Sequence, residues 1–150
     1  MRSPNQSRLG LRSIPIVAFG VTILLTLGTA PAEEAAGVSL ELNKLEPQDR
    51  GCRVYMVATN KSPTTFQTLK LDLVLFQPDG VIGRRLAIDL GPLKPAKRTV
   101  KLFDLDMVPC DQLGSLLIND VLECKTEAGS SSDCLSKLTT SSLTKTQLTK

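Results

Sequence analysis

FQTLKLDLVLFQPDG, residues 66–80, decides how this chain folds. Leu69, Leu71, Leu73 and Leu75 recur at every second position, with Lys70 and Asp72 between them and Val74 and Phe76 following. A period of two puts the four leucines on one face of an extended strand, whereas a helix would space them by three and four. Gln77-Pro78-Asp79-Gly80 then ends the strand. Proline presets the φ of a turn and glycine accepts a positive φ, so the stretch predicts a hairpin. The return strand is VIGRRLAIDL, with Leu86, Ile88 and Leu90 on one face and a bulge or break at Gly83.

The same alternation extends outward in both directions. VSLELNKLEP sets Val38, Leu40 and Leu42 against Ser39, Glu41 and Asn43. Pro47 to Gly51 reads as a turn. CRVYMVATN places Cys52, Val54, Met56 and Ala58 on one face, and Pro63 closes that segment because it cannot donate to a ladder. After the GPLKPAK loop, RTVKLFDLDM is a fifth strand ended by Pro109. Beyond it the pattern weakens. CDQLGSL predicts one helical turn with Asp111 near its start, and SLLINDVLEC is apolar enough for a strand. Ser131, Ser132 or Asp133 caps a short helix running through Leu138. The last stretch, TTSSLTKTQLTK, permits an edge strand or disorder. Short strands at regular spacing, joined by Pro/Gly turns, predict an all-β sandwich of about six to seven strands with short helical turns near the C terminus.

The N terminus has a separate role. Arg2, Arg8 and Arg12 precede an apolar run from Ile14 to Ala30, and Ala30-Pro31-Ala32 follows before Glu33. A basic start, a short apolar core and a small-x-small site are the parts of a secretory signal, with cleavage expected after Ala32. The apolar run is shorter than the ~20 residues of a spanning helix and is interrupted by Pro15 and Gly20. Residues 33–150 are therefore expected outside the cytoplasm, periplasmic or secreted. Membrane contact is expected only through the signal segment if it stays uncleaved. The reading gives a signal at 1–32, one sandwich domain at 33–139 and a polar tail at 140–150.

Charge and composition exclude several function classes. Three of the 18 basic residues and none of the 15 acidic ones lie in 1–32, so the rest of the chain is balanced. A neutral domain carries no large electrostatic footprint for nucleic acid. Aromatic residues make up 3% of the chain, which leaves few faces for stacking on sugars or bases. There is no histidine, which excludes Ser-His-Asp and Cys-His catalysis, histidine metal ligation and a histidine pH switch. Asp104 and Asp106, two apart on one strand, are the carboxylate pair left to consider, and a solvent-facing strand end accounts for them. No catalytic residue, cofactor or metal is assigned.

All four cysteines, Cys52, Cys110, Cys124 and Cys134, lie outside the signal. An even count in an oxidising compartment points to disulfides. Cys-x-x-Cys is absent, and so is zinc-knuckle spacing. Of three possible pairings, Cys52–Cys110 with Cys124–Cys134 is favoured. The first ties an early strand to the segment after the fifth strand, and the second closes a short loop around AGSSSD. The runner-up pairs Cys110 with Cys124 and Cys52 with Cys134.

From Val54 to Leu105 the chain resembles small immunoglobulin-like modules of secreted bacterial proteins, such as the FxLYD-type domain. The matching stretches are VATNKS, LVLFQPDGVIG and LGPLKPAK. Phe76-Gln77 stands where the family has Tyr-Asp, and the glycine after the loop proline is missing. The resemblance implies an immunoglobulin-like sandwich. The whole chain also looks like a group of small exported proteins of Gram-negative bacteria, which implies location and no activity. With no catalytic set, the expected role is a non-enzymatic module that binds another envelope protein. The rival readings are a small-ligand carrier with a pocket between the sheets and a carboxylate-only hydrolase. The expected partner surface is the 76–83 hairpin with Phe76, Pro78, Asp79 and Gly80, together with the 91–98 loop carrying Lys94, Lys97 and Arg98.

Overall fold

A computed structural model describes residues 36–150. The expected signal at 1–32 and its cleavage point after Ala32 lie outside the described residues. Among these residues, no helix is long and apolar enough to cross a membrane.

Among the described residues, nine strands form two sheets: β1 (Val38–Gln48), β2 (Gly51–Asn60), β3 (Phe66–Phe76), β4 (Ile82–Asp89), β5 (Arg98–Asp106), β6 (Ser115–Thr126), β7 (Gly129–Ser130), β8 (Leu138–Ser142) and β9 (Gln147–Thr149). One sheet has the order β5-β2-β1-β8. The other runs β4-β3-β6-β7, with β9 also on β6. The sandwich is all-β, as the alternation predicts, with more strands than the six to seven expected because the C-terminal stretch adds short ones.

The leucines that fixed the third strand face the interior. Leu69, Leu71 and Leu73 are completely buried and Leu75 nearly so. They meet Val38, Leu40, Leu42, Val54 and Met56 from the opposite sheet, in one continuous core that includes Leu105, Leu116 and Ile118. Each buried leucine removes enough apolar surface from water to contribute roughly 1.5–3 kcal/mol, so this block is the main source of stability. Strict alternation fails where bulges insert a residue. The β1–β2 register shifts between Leu42 and Lys44, which brings Leu45 to the core side. Gly83 is the extra residue in the β3–β4 pair, where Phe76 faces Ile82 and Leu75 faces Arg84. Three further shifts along β3–β6 leave Gln67 of β3 and Asn119 and Leu122 of β6 as the extra residues.

The pairings define two ends. The upper end carries the β2–β3 and β4–β5 loops and the β6–β7 turn. The lower end carries the β1–β2, β3–β4, β5–β6 and β8–β9 connections. At the upper end Asn60 is fully buried. Its Nδ2 donates to the carbonyls of Thr64 (2.8 Å) and Leu93 (3.0 Å), and its Oδ1 accepts from the Ser62 N–H at 3.0 Å. One side chain thereby satisfies the backbone of two loops, in keeping with the rule that buried polar groups are paired.

Two expectations need correction. No helix follows Ser131. Cys134 to Lys137 is a turn held by Lys137 N–H to Cys134 O (3.2 Å) and Leu138 N–H to Leu135 O (3.2 Å). The Cys124–Cys134 disulfide already fixes that loop against β6. The boundary at 139 falls within β8, and of the two readings of the tail the edge strand is the one present. β8 runs parallel to β1 down one sheet, and β9 then runs parallel to β6 in the other. Leu138 and Leu148 are buried at either end of this hook. Ser142, Thr144 and Thr146 hold the reversal through their hydroxyls, and Thr146 Oγ1 donates to Leu113 O at 2.7 Å. The helical turn expected near Asp111 is present as one 3-10 turn, Cys110–Gln112.

The outer face of the β3 sheet holds one buried charge. Asp72 is almost fully buried, and Arg85 of β4 grips it through two hydrogen bonds of 2.7 Å each. Asn119 of β6 donates a third, at 2.7 Å, from the bulge. The Arg85 hydrogen bonds hold the Asp72 carboxyl below its ordinary range. Burial opposes this, and Asn119 adds to it. Because the folded value is depressed, the stabilisation is complete above the unfolded value and is lost as pH falls through the folded one. Asp72→Asn should therefore flatten the acid limb of a Tm-against-pH curve below about pH 4. An acid limb identical in the parent and in Asp72→Asn would rule out this role for Asp72.

Candidate functional site

The lower end gathers the most chemistry. Its centre is the connection Met107–Gly114 between β5 and β6. The Cys52–Cys110 disulfide ties it to β2, and its Gly114 N–H donates to Phe76 O at 2.9 Å. Leu113 anchors the segment in the core. The favoured pairing is thus present, and Cys124–Cys134 is the second disulfide.

Met107 stands out on this framework. Its φ is 64°, a left-handed conformation uncommon for a side-chain-bearing residue, and its side chain is 73% exposed. Its N–H donates to Arg50 O at 2.6 Å, so the β1–β2 turn holds it in place. The thioether borders a cleft of about 650 Å³ formed with Pro47, Arg50, Pro109 and Asp111. It also borders a smaller one with Phe76, Gly83 and Arg84. Val81, Ile82 and Leu143, all more than half exposed, belong to the neighbouring connections at this end. Flexible, polarisable methionine and several exposed aliphatics at a sandwich end suit an adaptable protein contact.

The structure separates the two loops expected to form one surface. Phe76, Pro78, Asp79 and Gly80 lie at the lower end. Lys94, Lys97 and Arg98 lie at the upper end, where Leu93 plugs into the core and pairs with Phe66. In the lower turn Asp79 Oδ1 accepts from the Val81 N–H at 3.0 Å, and Gly80 takes φ 85°. Arg98 turns across its own sheet to Glu41, at 3.2 Å. Strand pairing forces the split, because β4 carries the chain the full height of the sandwich between the loops.

Asp104 and Asp106 do not act as a pair. Arg53 of β2 holds both Asp104 oxygens, at 2.7 and 3.0 Å, and these hydrogen bonds lower its pKa. Asp106 is engaged through its backbone, whose carbonyl accepts from Arg84 Nη1 at 2.8 Å. Among the described residues no three Cys, Asp or Glu side chains cluster as a metal site would require. The space between the sheets is filled by Leu40, Leu42, Met56, Leu71, Leu73 and Leu116. Met107 escapes a reading of the sequence because it sits at the end of an alternating strand. The cue is an apolar Met-Val-Pro run just outside that strand and immediately before a cysteine.

The fold is that of a two-sheet β-sandwich with two disulfides. No protein-family model matches the chain, and no curated protein sequence does. Among solved structures the chain is similar to IrmA from Escherichia coli, with a TM-score of 0.55 and 12% identity over 69% of this chain and 90% of that one. At that identity the likeness concerns the fold.

Proposed function

We propose that the chain is a non-enzymatic, extracytoplasmic sandwich module that binds another protein of the cell envelope through its lower loop end. The observation that carries this reading is Met107: exposed, held at positive φ, and set between two clefts on a disulfide-tethered segment. Unusual backbone conformations persist where the surroundings over-determine them, and they concentrate at binding surfaces. Two disulfides fit an oxidising compartment, and the leader-like N terminus fits the same location. The upper loop, with its lysines turned to solvent and its leucine committed to the core, is the weaker surface.

Site-specific photocrosslinking in intact cells tests the placement. A crosslinking residue at Met107 or Ile82 should capture one dominant envelope protein, whereas one at Lys94 should not. Met107→Asp should remove the crosslink from Ile82 without changing the melting temperature, since aspartate tolerates the left-handed region. Capture from Lys94 alone, or from none of the three positions, would end this assignment.

A further inference from the structure

We propose that β5 is a self-pairing edge, which joins the four-stranded sheet to that of a second copy of this chain in antiparallel register, with the twofold axis at Leu102. This goes beyond the envelope-partner reading and uses a different part of the molecule.

The long edges of the sandwich are β4 and β5. An exposed edge invites pairing unless charge, proline or a bulge blocks it. β4 is guarded by the Gly83 bulge and by Arg84 and Arg85. β8, β7 and β9 are five residues or shorter. β5 has nine residues, no bulge in its pairing with β2 and no proline. Its outer face shows Val100 and Leu102, 55% and 53% exposed, next to Val57 and Tyr55 of β2. Lys101, the lysine in the middle of this edge, is tied back by its ammonium to Gly91 O at 2.8 Å.

The backbone is oriented for pairing as well. The Asp106 carbonyl accepts from Arg84 of the other sheet, so it points away from β2. Backbone groups alternate along an antiparallel strand, which puts the N–H and C=O of Val100, Leu102 and Asp104 on that same free edge.

The strand is complementary to itself when reversed. It carries Arg98 at one end, Val100 and Leu102 on the outer face in the middle with Lys101 turned to the other face, and Asp104 and Asp106 at the other end. A twofold at Leu102 sets Leu102 against its own copy, Arg98 against Asp106 of the second copy, and Lys101 against Phe103 of the second copy. The opposed charges and the Leu102 pair stabilise this ladder, in which Val100 faces the Asp104 that Arg53 holds. Moving the axis one residue, to Lys101, would instead oppose two lysines, which disfavours that register. Because the Asp106 carbonyl is already taken, the new ladder is centred on Val100–Asp104. Such a contact is smaller than that of a standard stable complex, so the expected dimer is weak, with Kd in the range of about 10–100 µM.

Sedimentation velocity of the chain 33–150 at about 5–300 µM is the test. A monomer–dimer equilibrium is expected. Leu102→Lys should weaken it at least ~10-fold by opposing two charges at the axis. Leu122→Lys, the same change at an exposed apolar strand position of the other sheet, should leave it unaltered. Arg98→Asp and Asp106→Arg should each weaken it, and the double variant should recover to within ~3-fold of the parent. Thermal melts of every variant separate lost pairing from lost folding. A chain that stays monomeric throughout, a dimer indifferent to Leu102→Lys, or a double swap that fails to recover would overturn the proposal.

Discussion

Replacing Cys52 and Cys110 together by alanine should lower the unfolding free energy by about 4 kcal/mol, measured by urea denaturation of the chain 33–150. The disulfide joins residues 58 apart, and closing a loop of that length in the unfolded chain accounts for a change of this size in the chain-entropy picture. The second disulfide closes a separation of 10 residues, so removing Cys124 and Cys134 should cost about 3 kcal/mol. Small domains are commonly stable by only about 5–15 kcal/mol, so losing both should leave the chain largely unfolded at 37 °C. The long bridge also positions the Met107–Gly114 segment. The Cys52/Cys110 variant should therefore lose the crosslink from Met107 even at temperatures where it remains folded. The Cys124/Cys134 variant should keep it. If the short bridge proved the more important for both stability and crosslinking, the long one would be neither the main staple nor the support of the binding segment.

A chain that ends at Thr139 should not fold to the native sandwich. The truncation removes β9 and most of β8. With them go the buried Leu148 and the hydrogen bond from Thr146 to Leu113. Loss of one buried leucine side chain costs about 2–5 kcal/mol, and an unmatched buried carbonyl adds roughly 1–3. Truncation also strips a partner from an edge of each sheet, since β8 pairs with β1 and β9 with β6. Exposed edges beside a leucine-rich core favour aggregation over refolding. The expected result is insoluble protein on expression, or a soluble species lacking cooperative unfolding. Leu143→Ser, at a 69% exposed tail position, should leave the melting temperature within about 2 °C of the parent and isolates the effect of the buried anchors. A truncated chain that melts like the parent would show that the hook adds nothing to the fold.

The leucine alternation from 69 to 75 and the turn at Pro78–Gly80 are local signals. A pleated strand forces every second side chain onto one face, and glycine is selected wherever φ turns positive. Sequence alone therefore determined the sandwich class and the first five strands; it favoured one disulfide pairing over a runner-up and left Gly83 as a bulge or a break, and the assembled strands decided both. The tail stayed ambiguous between an edge strand and disorder for the opposite reason. Leu138 and Leu148 carry no local period, and β8 and β9 exist because β1 and β6 offer free edges to them from residues about a hundred and about thirty positions away. The separation of the two expected loops was not legible. The 76–83 turn and the 91–98 loop look alike as polar, proline-bearing stretches, and only the strand that joins them sends them to opposite ends. Met107 and the free edge of β5 gain their character from what lies beside them: an Arg50 carbonyl in one case, the absence of a neighbouring strand in the other. Exposure is a property of assembled neighbours, so tertiary structure decided which apolar residues form the core and which remain available to a partner.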